Sequence, residues 1–145
     1  DLPGFSSFTA RWVVFQELTE QGVGTGGPEL RFVEEATVYS EEKGRNLSPE
    51  ELIEFTRQRL IAWAEANNEN FEETEIILDG QPAVSFTYII DNPITERKEK
   101  KVYIYGKTKN ILIRLVFDNY DSQPQKVTEY TPIFNQILST FRFLE

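Results

Sequence analysis

The tetrapeptide Ser48-Pro49-Glu50-Glu51 constrains this chain more than any other stretch, because it assembles three helix-starting devices at consecutive positions. Ser48 supplies an N-cap hydroxyl, Pro49 occupies the first helical position, and Glu51 stands where a carboxylate can reach back to the cap. Leu52, Ile53, Phe55, Leu60, Trp63, Ala64 and Ala66 follow at mostly helical spacing, and Glu54, Arg57, Gln58 and Glu65 face water. Asn67, Asn68 and Asn70 end the helix, since asparagine tolerates the left-handed backbone of a helix C-terminus. One long helix is thus fixed in the middle of a chain that is otherwise β-rich.

Before the helix, 8–18 and 30–39 are rich in aromatic and β-branched residues and predict two strands joined by the glycine stretch Gly22–Gly27. After it, Ile76–Leu78, the turn signal Asp79-Gly80 and the run from Ala83 to Ile90 predict a hairpin. Asn92-Pro93 turns the chain into Lys101–Tyr105, and Lys107–Asn110 turns it into Ile111–Phe117, completing an antiparallel meander. From Lys126 to Thr140 a second helical pattern contains Pro132 and predicts a kink or two pieces. Phe141 and Phe143 flank Arg142 and predict a short last strand. The expected class is α+β, one domain over residues 1–145 with an antiparallel sheet packed between helices. A chain of 145 residues supports one core without staples.

Composition narrows the chemistry. There is no Cys and no His, which removes thiolate nucleophiles, Ser-His-Asp and Cys-His sites, and histidine ligands for zinc. Gly22-Val23-Gly24-Thr25-Gly26-Gly27 matches a dinucleotide-binding pattern, but Pro28 and a β-like run follow instead of a helix, so it reads as a hairpin loop. Acidic groups at Glu34/Glu35, Glu41/Glu42, Glu50/Glu51/Glu54, Glu69/Glu72/Glu73/Glu75 and Asp118/Asp121 have no calcium-loop spacing and read as solvated faces. No catalytic residue, metal ligand or cofactor is assigned, and the expectation is a protein that is not an enzyme.

Charge suggests how such a domain meets a partner. Residues 1–80 hold 17 acidic and 6 basic side chains (17 against 6, −11), and residues 81–145 hold 7 and 9 (+2), summing to the net −9. Such a balance disfavours nucleic acid and anionic membranes. Glu50, Glu54 and Glu65 are candidate docking residues on the helix. Arg97, Lys98, Lys100 and Lys101 form a basic hairpin that serves either as a second docking patch or as protection of an exposed strand edge. Tyr88, Tyr103 and Tyr105, beside Phe86, Phe117 and Trp12, line either a ligand groove or the core, with core packing favoured. Asn46-Leu47-Ser48 is a glycosylation sequon whose serine is better explained as the helix cap. No run of residues is apolar enough to insert in a membrane. The first residue, Asp1, is not Met, so the chain is either a processed mature form or an excised piece, and a removed leader or a lipid anchor outside this segment is compatible with it.

The order of elements resembles the PsbP/Mog1 family over nearly the whole chain. The resemblance rests on the first strand pair, on Leu47-Ser48-Pro49-Glu50-Glu51-Leu52, on Leu78-Asp79-Gly80-Gln81-Pro82-Ala83, on the Tyr103–Phe117 hairpin, and on the ending Pro132-Ile133-Phe134-Asn135-Gln136-Ile137-Leu138-Ser139-Thr140-Phe141. It implies an α/β/α sandwich without a shared active site. Similar proteins include lumenal subunits associated with photosystem II, exported bacterial lipoproteins and a nuclear protein that binds a small GTPase. Phe8–Trp12 and Leu30–Val33 are loose counterparts of two segments typical of the photosystem subgroup, whose metal-binding histidines have no equivalent here. The resemblance implies an extracytoplasmic accessory subunit, in the periplasm, at the cell surface or in the thylakoid lumen, docking onto a larger protein assembly. The alternative is a small-ligand or cation-binding domain of an exported lipoprotein.

Overall fold

A computed structural model describes residues 5–9, 12–18, 24–33, 37–92, 97–117, 124–140 and 142. Its elements run β1 (Phe5–Thr9), β2 (Trp12–Leu18), β3 (Gly24–Val33), β4 (Thr37–Ser40), β5 (Arg45–Asn46), α1 (Pro49–Asn67), β6 (Phe71–Leu78), β7 (Gln81–Asn92), β8 (Arg97–Gly106), β9 (Leu112–Phe117) and α2 (Pro124–Ser139). An antiparallel six-stranded sheet has the order β2-β3-β9-β8-β7-β6, and a three-stranded sheet has the order β1-β4-β5. The class is α+β.

Alternation along the central strands decides what each helix covers. Ala83, Ile104, Ile113, Leu115 and Phe117 point to one side, where Phe134, Tyr130, Ile137 and Leu138 of α2 pack on them. Val84, Phe86 and Tyr105 point to the other, beneath Leu52, Ile53 and Leu60 of α1, with Val38 and Leu47 from the small-sheet region closing that cluster. The sheet is therefore packed between helices.

Local signals resolve as their chemistry dictates. Ser48 Oγ accepts from the Glu51 N–H at 3.2 Å, and the Glu51 carboxylate accepts from the Ser48 N–H at 2.9 Å, a complete capping box. Asn68 ends α1 in the left-handed conformation (φ 52°). Asp79 and Gly80 both have positive φ, 47° and 73°, and close the two-residue hairpin between β6 and β7.

Other expectations are corrected. The 8–18 run is split: β1 pairs with β4, whereas β2 pairs with β3 in the larger sheet. The 30–39 run is split in the same way between β3 and β4. Gly24–Gly27 lie inside β3 instead of forming a loop, and the β2–β3 register shifts beside them, between Gln16 and Leu18. β6 begins at Phe71, five residues before the apolar run that announced it. Pro132 lies within a single helix, α2, not between two pieces. The strand expected at Phe141 and Phe143 lies outside the described residues.

Candidate functional site

Helix α1 and strand β6 form a strongly acidic part of the molecule. Residues 47–79 contain nine acidic and two basic side chains, a formal −7. Glu50, Glu54 and Glu65 are all exposed, as the sequence predicts. Glu54, Gln58, Ile61 and Glu65 follow at helical spacing along the exposed side of α1.

These carboxylates differ in their ties. Glu54 accepts hydrogen bonds from Gln58 (2.9 Å) and from Arg57, which together hold its carboxyl below the usual carboxylate range. Arg57 uses its remaining fork on Glu73 of β6, Nε to Oε1 at 2.7 Å and Nη2 to Oε2 at 2.8 Å. That bidentate pair lowers the Glu73 pKa and raises that of Arg57, and it fastens the helix to the end strand of the sheet. Glu75 pairs with Lys107 across the β6–β7–β8 end of the sheet. Glu51 is committed to the cap, where a two-pronged contact from Arg45 (2.6 and 3.0 Å), the Ser48 N–H and Lys43 hold its carboxyl far below the ordinary range. No ion pair is made among the described residues by Glu50, Glu65, Glu69 or Glu72, and all four are exposed.

No group of three or more acidic side chains converges in a way that could hold a metal ion among the described residues. The acidic side chains are spread over the surface and do not converge on one point.

The basic hairpin is not one patch. Lys101 shares a face with Tyr103 and Tyr105, beneath α1, whereas Lys98 and Lys100 alternate to the α2 face. Lys98 pairs with Asp91, its cross-strand partner, at 2.9 Å. Protection of a sheet edge does not explain Lys100 and Lys101, because β8 is bonded on both sides there, to β7 and to β9. Arg97 begins β8 opposite Asn92.

The aromatic residues divide between two layers. Tyr88 packs against Trp63 of α1 (ring centroids 5.4 Å) and against Tyr103 (5.9 Å), and Phe86 meets Tyr105 edge-on at 6.0 Å. Burial pushes the Tyr105 hydroxyl up to about 12 and also raises that of Tyr88, whose shift is reinforced by Tyr103 and Tyr105. Phe117 lies on the opposite face, edge-on to Phe134 of α2 at 6.0 Å. These rings pack as core, the reading favoured from the sequence, and the raised Tyr88 and Tyr105 hydroxyls stay neutral across physiological pH. Trp12 starts β2, and its side chain is outside the described residues.

The strand character of Phe71–Glu75 is what sequence reasoning missed, and with it the position of those glutamates at a sheet edge. The available signal was Phe71 two residues from Glu73 and four from Glu75, a period of two hidden by acidic residues of low strand propensity.

Comparisons bear on the fold. No family model matches the chain, and no curated protein matches it. A solved structure similar to it is that of a protein of unknown function, PA94, from Pseudomonas aeruginosa. The two are 11% identical with a TM-score of 0.56, over 94% of this chain and 85% of that one. At that identity the likeness is one of fold.

Proposed function

We propose that this chain is a non-enzymatic interaction module that docks onto a larger assembly through the acidic surface of α1 and β6. The single observation that carries the reading is the distribution of charge: nine acidic against two basic side chains in one helix–strand unit, with no convergence on an ion site among the described residues. The core tyrosines, shifted upward, supply no group titrating near neutrality. A spread field of this sign accelerates encounter with a basic partner and orients it on approach. The resemblance to PsbP/Mog1 domains supplies the compartment in this proposal, an extracytoplasmic accessory subunit. No helix among the described residues is long and apolar enough to cross a membrane, which fits a module that docks instead of inserting by a helix.

The test reverses charge where the fold should not feel it. Glu65 and Glu69 are exposed, make no ion pair among the described residues and flank the C-terminus of α1, where cations are favourable and the last turn has none. Glu65→Lys with Glu69→Lys should leave the melting temperature within a few degrees, since such surface changes cost about half a kcal/mol. Carbodiimide cross-linking in extract of the native host, with the joined residues mapped, should place partner lysines on Glu50, Glu65, Glu69 and Glu72 of the parent. The variant should lose those adducts at low salt. Adducts that persist in the variant, or that gather on the β7–β8 hairpin, would move the docking face elsewhere.

A further inference from the structure

We propose that β6 is a docking strand whose open edge accepts an extended, basic segment of another polypeptide by backbone pairing; this deepens the acidic-surface reading and rests on it. β6 ends the six-stranded sheet and, among the described residues, pairs only with β7, in unbroken register from Phe71 opposite Tyr88 to Leu78 opposite Gln81. Over these eight residues it has no proline, glycine or bulge to blunt the edge, and the device it does carry is charge, three glutamates that repel an acidic strand but not a basic one. Its turn is the two-residue Asp79-Gly80 hairpin, so Leu78 and Gln81 form the closing hydrogen-bonded pair. Alternation then leaves the N–H and C=O groups of Phe71, Glu73, Glu75 and Ile77 directed away from β7. Four donors and four acceptors lie in a row along the open side.

The side chains select the occupant. Glu72, Glu73 and Glu75 lie on the strand, Glu69 precedes it, and no lysine or arginine is present from 60 to 97 except at the end of that range, Arg97. A second copy pairing through its own β6 would set carboxylates against carboxylates, and like charges directly opposite each other are destabilising. A segment with lysine or arginine at alternate positions meets complementary charge instead. Arg57 and Lys107 hold Glu73 and Glu75 on the α1 side, whereas Glu72 alternates to the other face, so both rows of an added strand meet carboxylates. Ile77, 68% exposed on the α1 side, offers an apolar contact at the turn end of the same edge. Backbone pairing supplies the affinity in such a mode and the alternate side chains supply the choice of partner.

The probe is a synthetic peptide of alternating lysine and valine, compared with its glutamate–valine analogue and with a version N-methylated at every residue, which has no backbone N–H left on either edge. Binding is read by fluorescence anisotropy at low salt, and its place by amide hydrogen exchange. The lysine–valine peptide should slow exchange at Phe71, Glu73, Glu75 and Ile77, and the other two should not. Ile77→Pro removes one outward N–H without changing charge or a bond to β7, and Ile77→Thr keeps that N–H. Losing one edge hydrogen bond should weaken binding about tenfold in the first variant and much less in the second. Binding that the Glu65→Lys, Glu69→Lys variant weakens, with no slowing at the four amides, would overturn edge pairing and leave the acidic docking surface standing. No binding at low salt would overturn both. If the proline variant does not fold, the N-methylated peptide still decides, because tight binding by it excludes a backbone-paired strand.

Discussion

Replacing Phe134 by alanine probes the contact that makes the sheet a middle layer. Phe134 is 4% exposed, sits edge-on to Phe117 at 6.0 Å and stacks on Tyr130 at 6.1 Å, above Ile113, Leu115 and Ala83. A buried Phe→Ala change costs about 3–5 kcal/mol, from lost transfer energy together with the cavity left behind. The unfolding entropy of a domain this size is roughly 0.3 kcal/mol per kelvin, so the melting temperature should fall by roughly 10–16 °C. The neighbouring Ile133 is the internal control, because it is 45% exposed and one helical step away on the outward side. Ile133→Ala should cost under about 1 kcal/mol, close to the ordinary range for surface changes. Urea unfolding followed by far-ultraviolet circular dichroism measures both, with an unchanged denaturant slope as the condition for reading midpoints as stability. Equal losses in the two variants, or a larger loss at Ile133, would refute the orientation of α2 and with it the α/β/α layering.

Two further outcomes follow from the same geometry. Gly80→Ala keeps open space around the new Cβ and meets only the left-handed backbone, a cost of roughly 1–2 kcal/mol, whereas Gly106→Ala places a Cβ 2.6 Å from the Lys109 carbonyl oxygen and 2.8 Å from Ile111 Cγ2. The second variant should therefore lose more stability than the first, with faster amide exchange across the β8–β9 hairpin; the opposite order would mean that the turn at 107–110 yields easily. The depressed carboxyls of Glu51, Glu54 and Glu73 bind protons less readily folded than unfolded, so their stabilisation is complete above the unfolded value near 4 and lost as pH falls through the lower folded ones. Urea midpoints at pH 7 and pH 3 should show the parent's advantage over Glu51→Gln shrinking as pH falls, and an advantage constant with pH would contradict the capping network.

The parts of this fold legible in the sequence are those whose determinants lie within a few residues of each other. Ser48 and Glu51 satisfy each other's backbone N–H groups, Asn68 takes the left-handed cap, and Asp79-Gly80 supplies two positive φ angles where the two-residue hairpin between β6 and β7 needs them. Each would be read correctly from an isolated peptide. Sheet membership has no such local determinant. Residues 8–18 read as one strand because β propensity is continuous through them, yet Phe8 pairs with Val38 in the small sheet and Trp12 with Val33 in the large one. The 30–39 run divides for the same reason. Lysines at 100 and 101 suggest an edge by composition, although their strand is bonded on both sides.

The acidic strand shows why the proposed docking surface is the least legible part. Glu72, Glu73 and Glu75 are poor strand formers, and nothing nearby in sequence compensates them. Their compensation is distant: Arg57 lies sixteen residues before Glu73, and Lys107 lies thirty-two after Glu75. A strand carrying three carboxylates would be costly in the middle of the sheet, where neighbours on both sides and helices on both faces would strip water from the charges. At the edge, one side stays open to solvent and the cost disappears. The same openness leaves four outward backbone pairs without a strand partner among the described residues, and the carboxylates beside them repel a second copy. Edge position, tolerated acidity and an unclaimed hydrogen-bonding row are therefore one consequence of the topology, and the partner that suits all three is a basic strand.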